Sequence, residues 1–159
     1  MVTVDLHLHT TASDGRLSPT ELVDLVAGSG IQVMAVTDHD STEGLEEAFA
    51  AAQKFNNLEV IPGIELGTDI TGSEIHMLAY FIQHTRKDLQ EELSRLRSGR
   101  QDRGRSMVEK LRDLGLEIEW KRVQEIAGDG SVGRPHIALA MVEKGYVKEP
   151  RDAFDTYLG

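Results

Sequence analysis

Near its N-terminus the chain reads Val4-Asp5-Leu6-His7-Leu8-His9-Thr10, and no other stretch limits the possible folds so strongly. Taken as a strand over residues 4–9 it alternates, and side chains two positions apart share a face. His7 and His9 therefore project together, roughly 6–7 Å apart along the strand, with Asp5 beside them. Strand interiors favour apolar and β-branched residues, so paired imidazoles need a reason to be there. A buried strand whose histidines bond to neighbours is the bland reason. Two imidazoles followed by a carboxylate in the next loop, Asp14, instead suit a divalent metal.

The sequence has no cysteine, so any metal must be held by His, Asp and Glu. That donor set suits Mn, Fe, Zn or Mg and excludes a thiolate zinc ribbon. A net charge of −10 over 159 residues argues against a broad duplex-DNA surface, which needs clustered Lys and Arg. A small phosphorylated substrate in a local basic pocket stays compatible with it. With 40% apolar and 28% charged residues, the composition is that of a soluble globular domain. No stretch approaches the roughly 20 apolar residues that a membrane span requires. The chain enters a strand directly, so no signal peptide and a cytoplasmic location are expected.

In order along the chain, residues 10–17 form a polar loop containing Asp14-Gly15. Ser18-Pro19-Thr20-Glu21 is a capping box with Pro at the first helical position. The helix it opens is expected to bury Leu22, Leu25 and Val26 and to end near Gly28 or Gly30. Residues 31–37 are a nearly continuous apolar run, as in a strand buried on both faces, and deliver Asp38-His39-Asp40 at their C-terminal end. Thr42 is expected to cap a second helix over 43–55. A third strand over 58–61 leads into Pro62-Gly63-Ile64-Glu65, a turn follows over 68–72, and a strand over 73–81 carries His76. This β-α-β-α-β opening predicts a parallel sheet or barrel, with chemistry at the C-terminal strand ends. His7, His9, His39, Glu65 and His76 all fall at or near such ends.

From residue 85 the character changes. Residues 86–114 carry a helical stripe of Leu89, Leu93, Leu96, Met107, Leu111 and Leu114. Arg95, Arg97, Arg100, Arg103 and Arg105 supply five of the 17 basic residues within eleven positions. A solvated face is the ordinary reason for Arg95, Arg97 and Arg105. Arg100 and Arg103 stand in the core-facing register, which suggests a pocket that receives an anion, most simply a phosphate. A short helix is expected over 119–127, then the loop Gly128-Asp129-Gly130-Ser131-Val132-Gly133. Arg134-Pro135-His136 opens a further helix that ends at Lys144-Gly145. A basic residue and a histidine at that helix start make an anion site, although His136 fits equally well as a packed first-turn histidine.

The ordered set His7-Leu8-His9-Thr10, Asp14-Gly15, Thr37-Asp38-His39-Asp40, Pro62-Gly63-Ile64-Glu65 and Glu74-Ile75-His76 resembles the PHP family, the polymerase and histidinol phosphatase metal-dependent phosphoesterases. Thr11-Ala12-Ser13-Asp14-Gly15 and the arginine-bearing insert are similar to the bacterial subgroup acting on 3′,5′-nucleoside bisphosphates and 5′ ends of short RNA. The resemblance implies the N-terminal part of a distorted (β/α)7 barrel with a helical insertion. It implies two or three divalent ions (Mn, Fe or Zn, with Mg possible) on His7, His9, Asp14, His39, Glu65 and His76. Glu65 is then the bridging carboxylate, and a water on the metals is the nucleophile. Arg100, Arg103, Arg134 and His136 would hold substrate phosphate, and Asp38 would orient an imidazole. The family pattern continues with another histidine and then an Asp-x-His motif near the C-terminus, and nothing in this sequence matches them. A C-terminally truncated barrel is therefore expected, with residues 1–84 the barrel part, 85–159 the insertion and start of the return, and an exposed apolar edge.

The expected activity is hydrolysis of a phosphate monoester of a small nucleotide or short RNA 5′ end. A histidinol-phosphate phosphatase and an amidohydrolase are the rival enzymes. A metal-binding scaffold module is the rival outside catalysis.

Overall fold

The computed structural model describes residues 2–70 and 73–159. The chain divides into two compact units, Met1–Leu96 and Arg97–Gly159.

The first unit is a four-stranded sheet, β1 (Val4–Leu8), β2 (Val33–Val36), β3 (Glu59–Ile70) and β4 (Ser73–Tyr80), in that spatial order. Helices α1 (Pro19–Gly28) and α2 (Leu45–Ala52) connect the first three strands. β1–β2 and β2–β3 pair in parallel, with Val4 beside Val33 and Ala35 beside Ile61. β4 returns antiparallel to β3, with Glu65 opposite Leu78 and Gly67 opposite His76. The expected all-parallel opening thus closes with a hairpin.

Local chemistry accounts for α1. The Ser18 side chain accepts from the Glu21 amide, and the Glu21 carboxylate accepts from the Ser18 amide at 2.8 Å, with Pro19 in the first turn. Leu22, Val23 and Val26 are buried, whereas Leu25 is 57% exposed, so the buried stripe is rotated from the expected one. Those side chains pack with Met34, Val36, Leu45, Ala48 and Ala51 into the first core.

Three expectations need correction. α2 spans Leu45–Ala52 rather than 43–55, and its N-cap position is Gly44. Thr42 does not cap it by side chain: its carbonyl accepts from the Leu45 amide, and its hydroxyl accepts from Gln90 Nε2 at 2.7 Å. β3 runs unbroken through Pro62-Gly63-Ile64-Glu65 as far as Ile70. Of the turn expected over 68–72, Thr68 to Ile70 are therefore strand, and residues 71 and 72 lie outside the described residues. Pro62 is tolerated because its missing N–H falls on the β4 side, one residue beyond the last pair, Gly63–Tyr80.

β1 and β4 are the sheet's edges, and Val4, Leu6, Ile75 and Met77 on them are exposed. The hydroxyl of Tyr80 on β4 donates to the Leu6 carbonyl at 3.0 Å.

α3 (Lys87–Asp113) is a 27-residue helix that continues from the first unit into the second. The second unit adds α4 (Trp120–Ala127), α5 (Arg134–Glu143), α6 (Pro150–Ala153) and a π-helical turn over Phe154–Leu158. Its core gathers Val108, Leu111, Ile118, Val123, Ile137 and Met141. Leu93 and Leu111 of the expected α3 stripe are buried, but Leu114 is exposed where the helix has ended. Among the described residues, no helix is long and apolar enough to cross a membrane.

Candidate metal centre

Glu65 sits in mid-strand on β3 and is 3% exposed. Its backbone amide donates to the Asp38 carbonyl at 3.2 Å, and its carbonyl accepts from Asp40 N at 3.0 Å. This pairing extends the β2–β3 ladder by one bridge, His39 to Glu65, and sets the His39 ring beside the carboxylate. Asp40 then takes a φ of 48°, a left-handed conformation that Asp tolerates better than most residues, and turns the chain away.

Four imidazoles converge on the Glu65 carboxylate. Its Oε2 lies 2.8 Å from His7 Nε2, 3.0 Å from His9 Nε2 and 3.5 Å from His39 Nδ1. Its Oε1 lies 2.6 Å from His76 Nδ1. Asp14 completes the group, with Oδ1 3.4 Å from His9 Nδ1 and Oδ2 3.5 Å from His39 Nε2. Neighbouring rings are close, with centroids 5.1 Å apart for His7–His9, 4.7 Å for His9–His39 and 4.9 Å for His39–His76. Burial pushes the Glu65 carboxyl up. The His7 hydrogen bond and the charges of His39, His9 and His7 outweigh burial and hold it below the usual carboxylate range.

Three overlapping triads, His7-His9-Glu65, His9-Asp14-His39 and His39-Glu65-His76, each place one donor atom per residue within 4.8 Å of the others. Donors that share an ion at about 2.1 Å stand about 3.0 Å apart at a right angle and about 3.4 Å apart at the tetrahedral angle. Most of the nitrogen–oxygen separations here fall near that range. The donors are nitrogen and oxygen only, so the set fits a cluster of divalent ions.

The structure thus brings together all six residues expected as ligands from the sequence. It places the four expected anion-binding residues in the second unit. There Arg100 is 8% exposed and Arg103 half-buried. The Arg134 guanidinium lies 5.9 Å from the Phe154 ring centre, and its Nη1 donates to the Leu158 carbonyl at 3.3 Å. His136 is buried, and its Nδ1 accepts from the Gly133 amide at 3.0 Å.

Asp38 corrects one expectation. Among the described residues its carboxylate bonds directly to no imidazole, and accepts instead from Thr10 N at 2.7 Å, Thr10 Oγ1 at 2.7 Å and Ser13 Oγ at 2.6 Å. Sequence reasoning missed Thr10 and Ser13. Two small hydroxyl residues flanking Thr11-Ala12, in the loop that delivers a metal-type carboxylate, were the signal that could have found them.

The PHP domain model matches residues 5–148. The chain belongs to the PHP family. Among PHP relatives, a 5′-3′ exoribonuclease of Haemophilus influenzae is 37% identical over 98% of this chain and 56% of its own length. A 3′,5′-nucleoside bisphosphate phosphatase of Chromobacterium violaceum is 33% identical over 99% of this chain and 55% of its own. The fold matches the crystal structure of a protein from Bifidobacterium adolescentis described as a metal-dependent phosphoesterase, with a TM-score of 0.90, 30% identity, and coverage of 99% of this chain and 56% of that one. The chain spans about half the length of the curated PHP relatives it matches.

Proposed function

We propose that this chain carries the metal centre of a hydrolase that removes a phosphate from a small nucleotide, a 3′,5′-nucleoside bisphosphate or the 5′ end of a short RNA. The observation that carries the reading is Glu65. One buried carboxylate presents Oε2 to His7 and His9 and Oε1 to His76, the arrangement needed to bridge two ions. In this reading His7, His9, Asp14, His39, Glu65 and His76 would hold two or three divalent ions. Such ions supply a water of lowered pKa and neutralise the charge that builds at phosphorus.

The residues of the chain have separable tasks. Glu65 fixes the spacing of adjoining sites, because its backbone amide and carbonyl are both hydrogen-bonded to the segment that follows β2, at Asp38 and Asp40. His39 faces Asp14 through Nε2 and Glu65 through Nδ1, so its ring angle couples the loop carboxylate to the strand carboxylate. Arg100, Arg103, Arg134 and His136 are assigned to the anionic groups of the substrate. For Arg100 and Arg103 that assignment rests on their inward register along α3 and on the burial of Arg100, and for Arg134 and His136 on their place at the start of α5. A guanidinium is suited to the task because its planar fork matches two phosphate oxygens at once.

The names of the exoribonuclease and bisphosphate phosphatase relatives support this choice of substrate class. The test is phosphate release by the Mn2+-loaded protein from adenosine 3′,5′-bisphosphate, histidinol phosphate and an aryl phosphate, beside hydrolysis of an amide and a lactone. Preferential turnover of the bisphosphate is expected. Turnover of the amide or lactone alone would end the phosphoesterase reading, and preference for histidinol phosphate would move the substrate class.

A further inference from the structure

The Asp38 carboxylate is 1% exposed and follows the end of β2 beside His39, yet among the described residues no histidine or acidic side chain bonds to it. A buried carboxylate is costly unless hydrogen-bonded. All three of its bonds, from Thr10 N, Thr10 Oγ1 and Ser13 Oγ, go to the loop between β1 and α1. That loop supplies Asp14. It is folded on itself as well: the Ser13 and Gly15 amides donate to the Thr10 carbonyl at 3.1 and 2.9 Å, and the Ala12 amide donates to Thr10 Oγ1 at 3.0 Å. Thr10 is therefore the hub of the loop, and Asp38 holds the hub.

Ser13 carries the effect into the donor cluster. Its Oγ is 2.6 Å from Asp38 Oδ1 but 3.4 Å from both His9 Nδ1 and Asp14 Oδ1. A hydroxyl has one proton, and the short contact takes it. The Ser13 oxygen is then left to accept from His9 Nδ1–H. That arrangement leaves His9 Nε2, 3.0 Å from Glu65, as the nitrogen with a lone pair for a cation.

We infer that Asp38 is a positioning residue that, through Thr10 and Ser13, sets Asp14 and the His9 ring for the two donor groups that use them, His7-His9-Glu65 and His9-Asp14-His39. The inference rests on the metal reading above and adds to it that part of the cluster, the part that uses His9 and Asp14, depends on a latch from outside the donor set. It predicts a selective loss. The His39-Glu65-His76 triad contains neither His9 nor Asp14, so breaking the latch leaves that ion in place.

The experiment compares the unsubstituted chain with Asp38→Asn and Ser13→Ala, by Mn2+ titration calorimetry and by amide hydrogen exchange of the metal-free protein. Each substitution should weaken the Mn2+ bound through His9 or Asp14 by roughly 10–100-fold and leave the Mn2+ of the His39-Glu65-His76 group within about threefold, the scale seen when an outer partner of a ligand is removed. In the metal-free chain, the amides of Thr10, Ala12, Ser13 and Gly15 should exchange at least about tenfold faster, with the β2 and β3 amides unchanged. Ser13→Ala keeps two of the three Asp38 bonds, so it reports even if Asp38→Asn fails to fold. Equal weakening of every ion, no weakening, or unchanged loop exchange would overturn the latch. If the unsubstituted chain binds no Mn2+, the metal centre itself fails, and the exchange comparison still decides whether Asp38 sets the loop.

Discussion

His76 and Glu65 meet at 2.6 Å because β3 and β4 fold back on one another. Glu65 and Gly67 share a face of β3, and His76 stands opposite Gly67, so the two side chains are diagonal cross-strand neighbours. Glu65→Gln keeps the shape of this pair and removes the charge. Metal affinity should fall by more than the roughly 10–100-fold typical of losing an outer partner, because a donor to several ions is altered at once. Calorimetric titration with Mn2+ or Zn2+ measures it, and retained affinity would remove Glu65 from the donor set.

The same carboxylate makes the metal-free chain sensitive to acid. Glu65 is held below the usual carboxylate range, so its folded-state value lies below its unfolded one. The stability it contributes is fully present above the unfolded value of about 4.3 and is lost as pH falls through the folded value. Thermal melts in a chelator should show this decline at acid pH, and the decline should be shallower in Glu65→Gln. Identical pH profiles for the two chains would contradict the shift.

Two glycines should respond in opposite directions to alanine. A Cβ on Gly15 would lie 2.3 Å from the His9 carbonyl oxygen and 2.7 Å from Thr10 N, both backbone atoms that cannot step aside. Gly15→Ala should cost about 1–3 kcal/mol, as overpacking does, and weaken metal binding with it. A Cβ on Gly28, at the end of α1, meets nothing within 4 Å. Gly28→Ala should stabilise by up to about 1 kcal/mol. Denaturant melts of both variants check the contrast.

Arg103 separates substrate binding from helix stability. In the protein that turns over the bisphosphate, Arg103→Ala should weaken nucleotide binding by about 1.5–3 kcal/mol while leaving turnover of a simple aryl phosphate nearly unchanged. Arg100 is the less informative target, since it is buried and its removal would disturb packing as well. Equal losses on both substrates would assign Arg103 to the structure of α3.

What the sequence revealed depended on how local the chemistry is. The α1 start was legible because Ser18, Pro19 and Glu21 satisfy one another within a single turn. The six converging donors were legible because His-x-His on a strand, with acids and imidazoles at further strand ends, suits little besides a metal. The length of β3 was hidden, since Pro62-Gly63 reads as a break unless one knows that β4 stops at Tyr80. The rotated stripe of α1 was hidden because Leu25 and Val23 are separated only by which neighbour each meets. Asp38 was misread for a similar reason. Its position beside His39 suggests an imidazole partner, and only the fold of the preceding loop supplies Thr10 and Ser13 instead.

The six donors all lie between residues 7 and 76, within the first compact unit. A chain made from its N-terminus has the whole set available once β4 has emerged, before most of α3 exists. Ions that bind the folded sheet and not the loose chain add their binding energy to its stability. Metal capture is therefore expected to be an early event during synthesis, with the sheet committed around its ions while the arginine-bearing helix is still being made. Starving growing cells of Mn and Zn should consequently lower the amount of folded protein made, and adding metal to protein already misfolded should recover little of it.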